Sequence, residues 1–230
     1  MKRREPILNK EQSEKINDMF KVALEYHNGQ IRNGSGLPYF IHLTDVMKRV
    51  TEFGVYDLET ILGAIGHDLF EDTTIHEGHL KRDFGGNVVR IIRECSREGG
   101  DAVTRQEKID FLSSFKKKSF QSCIIKLADR MSNVNDYRND GQIAYSKLYA
   151  LQAYPLYWHL KDNEENLKSQ FGNLVAENIL DAICDIEHYI KTIPCPFPEF
   201  INYYMDRNSD SLNKLICNKS VRTTFDNKEK

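Results

Sequence analysis

Apolar residues recur every three or four positions along most of this 230-residue chain, and this spacing is the strongest constraint on its fold. The segment 57–70 shows the pattern best, with one stripe formed by Leu58, Ile61, Leu62, Ile65 and Leu69. Such spacing places side chains on one face of an α-helix, whereas a half-buried strand alternates every two residues. No segment shows a convincing alternation of apolar and polar residues. The sequence therefore predicts an all-α fold.

The same periodicity predicts further helices near 11–27, 41–54, 77–98, 104–115, 120–135, 142–169 and 172–192. Gly85 and Gly86 should interrupt one of them, and Pro155 should start or kink another. The result is a bundle of about eight to ten helices. The proline-rich run 194–198 ends the pattern, so we predict a main domain over 1–193 and a C-terminal extension, 194–230, with a short helix and a polar tail.

Composition and charge exclude several classes of function. The chain carries 32 basic and 34 acidic side chains, a formal net charge of −2, without the basic surplus of a bulk nucleic-acid binder. No apolar run approaches the ~20 residues that span a bilayer, and the charged start lacks the apolar run of a signal peptide. The five scattered cysteines form no C-x-x-C pair. We expect a cytoplasmic protein with neither a disulfide scaffold nor a cysteine zinc site.

A polar cluster late in the 57–70 segment is the first candidate for chemistry. His67 and Asp68 are followed by Glu71 and Asp72, which a continuous helix would place one turn further on. Four titratable groups beside an apolar stripe are costly to bury unless a divalent cation compensates them. The alternative is a helix end with solvated acids and one histidine. The dipeptide His67-Asp68 alone is too common to decide between a metal site and such a helix end.

Two further positions extend this cluster. Asp129 lies in the middle of the apolar segment 120–135, where an ionised carboxylate needs a partner or a metal, and Asn133 shares its face. A salt bridge to Lys126 or Arg130 at a partly exposed edge would also account for Asp129. His42 follows a glycine-rich loop and could be a packing residue at a helix start. Together with the first cluster, His42 and Asp129 would complete two nitrogen and two carboxylate ligands, a set suited to Mn, Fe, Zn or Co.

The order His…His-Asp…Asp resembles the signature of the HD phosphohydrolase superfamily. The surrounding sequence segments resemble the hydrolase domain of the RelA/SpoT family and its stand-alone small alarmone hydrolases, including the metazoan SpoT homologues. The matching stretches are GQIR (29–32), GLPYFIH (36–42), GHDLFEDT (66–73), FGGNV (84–88) and KLADR (126–130) with Asn133. The likeness covers roughly residues 15–160, and five segments in order make it specific.

The resemblance implies a role for each matched residue. One ion, usually manganese, would be held by His42, His67, Asp68 and Asp129, with iron, zinc or cobalt as alternatives. The acidic pair Glu71 and Asp72 would orient and deprotonate the attacking water. The residues implied for substrate binding are Arg32, Arg105, Asn133 and Tyr149.

Some of these correspondences leave alternatives open. Tyr145 and Tyr154 compete with Tyr149, which could also be an ordinary packing residue. Asn33 departs from the family pattern. In the family a second basic residue often occupies this position, directly after the one that matches Arg32. The absence of that second positive charge would weaken pyrophosphate binding.

The activity that the resemblance implies is hydrolysis of the 3′-pyrophosphate of (p)ppGpp, giving GDP or GTP and pyrophosphate. One alternative is an HD phosphatase acting on another nucleotide, such as NADPH or a deoxynucleotide. The other is a non-catalytic module that binds a nucleotide or a partner. A small-molecule nucleotide is the expected partner, with no nucleic acid or membrane, and the sequence leaves the oligomeric state open.

Overall fold

A computed structural model describes residues 9–97 and 105–192. Within these residues the chain forms α-helices, one 3-10 turn (Ser114–Lys117) and no strand beyond an isolated antiparallel bridge between Ile31 and Pro38. The helices are α1 Lys10–Tyr26, α2 Phe40–Glu52, α3 Leu58–Gly66, α4 Leu69–Asp72, α5 Glu77–Phe84, α6 Gly86–Cys95, α7 Arg105–Ser113, α8 Phe120–Asn139, α9 Ile143–Gln152, α10 Tyr154–Asp162, α11 Glu164–Phe171 and α12 Asn173–Thr192. The predicted all-α class is confirmed. The predicted extension, 194–230, lies outside the described residues.

Two predicted helices are broken into shorter ones. The segment 57–70 stops at Gly66 and resumes at Leu69, so His67 and Asp68 lie in a break between α3 and α4. The Asp68 carbonyl accepts the amides of both Glu71 and Asp72, at 3.1 and 2.9 Å, and thereby starts a new turn. The break orients these polar residues differently from the continuous helix that the sequence predicted.

The segment 142–169 forms three helices, α9 to α11, instead of one. Pro155 lies in the first turn of α10, where its missing N–H costs no helical hydrogen bond, and the prediction that it starts a helix is confirmed. Gly85 separates α5 from α6 with a positive φ of 90°, which also agrees with the predicted interruption.

Helices α3 and α8 are the most buried parts of the bundle, and they pack against each other and against α2 and α6. Gly63 permits the close approach of α6, because a Cβ at this position would lie 2.5 Å from Ile91 Cγ2. Tight packing here fixes the end of α3 beside the middle of α8.

The apolar core has two parts, and α2 and α3 contribute to both. Leu43 and Ile65 pack with α1 and α6, whereas Val46 and Ala64 pack with residues of α8 to α12. The polar residues of interest lie at this junction, where α2, α3 and α8 meet. Among the described residues, no helix is both long and apolar enough to cross a membrane.

Candidate active site

The four predicted metal ligands meet at the junction of α2, α3 and α8. His42 lies in the first turn of α2, His67 and Asp68 lie in the break after α3, and Asp129 lies at the middle of α8. All four are buried. Ligand atoms of His42, His67 and Asp129 lie within 4.8 Å of one another. Asp68 Oδ2 lies 2.9 Å from His67 Nε2 and 3.5 Å from His42 Nε2.

The two imidazole rings present their Nε2 atoms to the carboxylates. His67 Nδ1 lies 2.8 Å from the Ala64 carbonyl, an acceptor, so Nδ1 carries the hydrogen and Nε2 of the neutral ring carries the lone pair. His67 Nε2 is fully buried and has no hydrogen-bond partner, although Asp68 is near. His42 Nε2 lies 3.3 Å from Asp129 Oδ1. A buried nitrogen without a partner, beside two carboxylates, fits the donor set of a divalent cation.

Both carboxylates are held in the ionised form. Burial acts to raise the pKa of Asp68, but the neighbouring imidazoles of His67 and His42 hold it well below its usual range. Burial acts in the same direction on Asp129, where the Lys126 ammonium and the histidines lower the pKa. Two buried negative charges in one pocket require positive charge close by.

Asp129 has the ion pair that the sequence left as an alternative, but in a different setting. Lys126 Nζ lies 2.8 Å from Asp129 Oδ2, and each side chain is only 5% exposed, so the pair lies in the interior and not at an exposed edge. Asn133 donates to Asp129 Oδ1 at 2.6 Å. Lysine therefore holds one carboxylate oxygen, while the other faces the two histidines.

The acidic pair after the break is divided between two partners. Glu71 Oε1 lies 2.7 Å from the Arg97 guanidinium, and its Oε2 accepts the Arg97 backbone N–H at 3.0 Å. Asp72 instead lies 3.0 Å from the Tyr39 hydroxyl, which is also 2.6 Å from Asp68. Burial and the charges of Asp68 and Glu71 raise the pKa of Asp72 to about 7.

Sequence reasoning missed Tyr39, Arg97 and Lys126 as members of this site. Tyr39 directly precedes α2, three residues before His42, and that spacing was the available signal. Lys126 was considered only as a surface partner of Asp129. Arg97 had no signal, because it is 26 residues from Glu71 and follows the end of α6.

Two of the predicted substrate contacts lie directly beside the candidate ligands. Arg32 is buried, and its guanidinium donates to the Ser132 carbonyl at 3.2 Å and to Asn133 Oδ1 at 3.4 Å. Its Nε lies 3.1 Å from Asp136 Oδ2. The loop between α1 and α2 is thus fastened to α8 on the side of the site.

The other two predicted contacts are placed less directly. Tyr149 packs against Tyr137 and Tyr145, and the guanidinium of Arg130, next in sequence to Asp129, lies 5.0 Å from its ring centre. Arg105 begins α7, but its side chain lies outside the described part of the chain.

A surface cavity of about 560 Å³ lies on another part of α4, apart from this cluster. It is lined by Phe70, Ile75, His76, Glu77, Lys81 and Arg93, none of which belongs to the predicted site. Arg93 there is already paired with Glu77. The convergent buried cluster therefore remains the candidate active site.

The profile of the HD-domain family matches residues 20–165. The chain belongs to the HD-domain family. A Haemophilus influenzae protein named guanosine-3′,5′-bis(diphosphate) 3′-pyrophosphohydrolase is 28% identical over 186 residues, covering 72% of this chain and 26% of that protein. A protein of the same name from Aquifex aeolicus is 29% identical over 207 residues, covering 80% of this chain and 28% of that protein. The chain thus spans about a quarter of the length of these relatives.

Two further matches bear on the resemblance drawn from the motifs. Escherichia coli SpoT, named a bifunctional (p)ppGpp synthase/hydrolase, is 29% identical over 133 residues, covering 55% of this chain and 18% of that protein. A solved structure, described as a metazoan ortholog of SpoT that hydrolyses ppGpp, has a TM-score of 0.58 at 20% identity, covering 80% of this chain and 97% of that one. The sequence relatives confirm the resemblance to the RelA/SpoT family, and the structural match confirms the fold.

Proposed function

We propose that this HD domain is a divalent-metal-dependent phosphohydrolase that releases pyrophosphate from the 3′ position of (p)ppGpp. One observation carries the chemistry: two buried imidazole nitrogens and two buried carboxylates converge beside a further carboxyl group whose pKa is raised to about 7. The names of the relatives supply the nucleotide, since an HD site alone does not choose it.

The proposed cofactor is a single manganese ion held by His42, His67, Asp68 and Asp129, with iron, zinc or cobalt as alternatives. The unpartnered His67 Nε2 and the two ionised carboxylates support this assignment. Such an ion lowers the pKa of water and polarises a phosphoryl oxygen.

Asp72 is the proposed general base for the attacking water. Burial and the neighbouring charges of Asp68 and Glu71 raise the pKa of Asp72 and so increase its affinity for a proton. A cation at Asp68 would offset the contribution of that charge and leave the effect of burial. The Tyr39 hydroxyl, 3.0 Å away, would hold the carboxyl group toward the site. Glu71 has both oxygens engaged by Arg97, so we assign it the role of orienting the segment and the water instead of removing the proton.

Arg32, Arg105, Asn133 and Tyr149 are the proposed substrate contacts. Arg32 and Asn133 lie beside the candidate ligands, which supports their assignment. Contact between Arg32 and a phosphate would require that the phosphate take over bonds now made to α8, because Asp136 and Ser132 hold the guanidinium. A small nucleotide is the proposed partner and the cytoplasm the proposed location.

The test is product analysis with the full chain, stripped of metal and reloaded with Mn²⁺. We expect ppGpp to give GDP and pyrophosphate, with activity lost on chelation and in Asp72→Asn. Asp181→Asn, an exposed carboxylate on α12, is the matched control and should retain full activity. NADPH and a deoxynucleotide are assayed in parallel as alternative substrates.

Each other outcome would change the proposal in a defined way. Orthophosphate from one of the parallel substrates would keep the metal site and replace the nucleotide. Binding of ppGpp without turnover would favour a non-catalytic module. Full activity of Asp72→Asn would remove Asp72 from the role of base.

A further inference from the structure

The hydroxyl group of Ser132 lies at a point where three functional groups meet. Ser132 is on α8, one turn after Asp129 in the helix, and it is only 1% exposed. Its Oγ lies 3.0 Å from His42 Nδ1 and 3.3 Å from the Arg32 NH1 group. The Ser132 hydroxyl also helps to lower the pKa of the Asp45 carboxyl group on α2. No relative's name and no motif singles out this residue.

The donors and acceptors around this hydroxyl can be assigned by counting. A serine hydroxyl has one hydrogen to donate and two lone pairs. Asp45 is ionised, because Arg49 pairs with it at 3.0 Å; burial acts to raise its pKa, but the Ser132 hydroxyl and Arg49 lower it. A carboxylate can only accept, so a hydroxyl that lowers the pKa of Asp45 acts on it as a donor. Arg32 can only donate, so its N–H group occupies one lone pair of the Ser132 oxygen.

The Ser132 oxygen also faces His42 Nδ1, and a neutral His42 ring that binds a cation through Nε2 carries its hydrogen on Nδ1. With Nδ1–H donating to Ser132, Nε2 of the neutral ring presents its lone pair to the pocket, beside Asp129 and Asp68. His67 reaches the same state through the Ala64 carbonyl. The two rings therefore obtain matching orientations from two different acceptors.

We propose that Ser132 is a positioning residue of the metal site: its oxygen accepts the Nδ1 hydrogen of His42, fixing the ring tautomer that can bind a cation, and it holds Arg32 through the same oxygen. This inference rests on the metal site of the proposed function. It also makes one hydroxyl common to the ion-binding pocket and to the loop between α1 and α2.

Ser132→Ala removes this hydroxyl and little else. His42 Nδ1 loses its acceptor, whereas Arg32 keeps the Ser132 carbonyl, Asn133 and Asp136, so the loop stays attached. Loss of an outer-shell partner of a ligating histidine typically weakens metal binding by 10–100-fold. We expect Mn²⁺ affinity to fall at least about tenfold.

Ser122→Ala is the matched control, because Ser122 is buried on the same helix and its hydroxyl donates to the Ser119 carbonyl at 2.8 Å. The full chain is stripped of metal and titrated with Mn²⁺ by calorimetry. Burial acts to lower the pKa of His42, but hydrogen bonds to Asp129 and Asp68 raise it. The tautomer of His42 is therefore read in the metal-free protein above that pKa, where the ring is neutral, from long-range ¹H–¹⁵N NMR correlations. We expect the wild type and Ser122→Ala to have the same Mn²⁺ affinity and to carry the hydrogen of His42 on Nδ1. In Ser132→Ala we expect a weaker Mn²⁺ affinity and a His42 ring that is no longer held in this tautomer.

Asp45→Asn provides a second variant that leaves the buried serine in place. If the Asp45 carboxylate acts through the Ser132 hydroxyl, the double variant should bind Mn²⁺ no more weakly than Ser132→Ala alone, whereas independent structural defects would add. If Ser132→Ala binds as tightly as Ser122→Ala with an unchanged His42 tautomer, the role of Ser132 is refuted while the metal site stands. If wild type binds no Mn²⁺, the proposed function fails and this inference with it.

Discussion

Replacement of Lys126 by methionine tests whether the buried carboxylates of the site need their positive partners. Methionine keeps most of the aliphatic length and removes the ammonium group that lies 2.8 Å from Asp129 Oδ2. At an effective dielectric constant of about 20, two charges at that distance attract by roughly 6 kcal/mol. Removing one member of a buried pair typically costs about 3–5 kcal/mol.

We expect the lower end of that range for the metal-free protein. Asp129 keeps the Asn133 amide at 2.6 Å and the His42 ring, and these contacts offset part of the lost attraction. A loss of about 3 kcal/mol in the free energy of unfolding corresponds to roughly 6–12 °C in Tm for a domain of this size. Lys48→Met, at an exposed pair with Glu52, is the control and should cost at most about 0.5 kcal/mol.

The assay is urea unfolding of the full chain, in EDTA and again with saturating Mn²⁺. The cation would replace the missing positive charge beside Asp129, so the deficit of Lys126→Met should shrink with metal. Mn²⁺ should also bind the variant more tightly, since a like charge has left the pocket. A deficit in EDTA no larger than that of Lys48→Met would refute the reasoning, as would a deficit that grows when Mn²⁺ is added.

Three further predictions concern other parts of the chain. Arg97→Met should lower kcat for ppGpp, the proposed substrate, roughly tenfold with little change in KM, because Glu71 loses a charged contact that positions it. Steady-state kinetics showing a raised KM at unchanged kcat would contradict this. Gly63→Ala should destabilise the fold by about 1 kcal/mol in urea unfolding, since overpacking against Ile91 costs about 1–3 kcal/mol and the gain in helix propensity is only about 1. Burial lowers the pKa of Lys118 from 10.5 to about 8. The unfolded chain therefore binds more protons between these values, and stability should rise with pH across that window by an amount that Lys118→Met abolishes in unfolding curves at pH 7.5 and 9.5.

Much of the site could be predicted from the sequence because its residues lie in short, recognisable sequence motifs. The sequence motifs group four residues, and the structure brings all four to one buried junction: His42, His67, Asp68 and Asp129. The reason is that each of these residues lies in a helix, or directly after one, whose apolar face already determines which side turns inward.

The partners of these residues could not be predicted in the same way. Arg97 lies 26 residues from Glu71, and Ser132 lies 90 residues from His42. Such contacts depend on how helices pack, and no local spacing records them. The same is true of Arg32, which the resemblance assigned to substrate binding and which the structure shows paired with Asp136.

The sequence by itself determined the all-α class, the broad order of the helices and the residue types of the candidate ion site. Periodicity and breaker residues are local properties, and they are sufficient for these features. Only the tertiary structure decided that the helix ends at Gly66, so that Glu71 turns to Arg97 and Asp72 turns to Tyr39. The physical reason is that a buried charge takes its orientation from the partners that balance it, and those partners come together only when the helices pack.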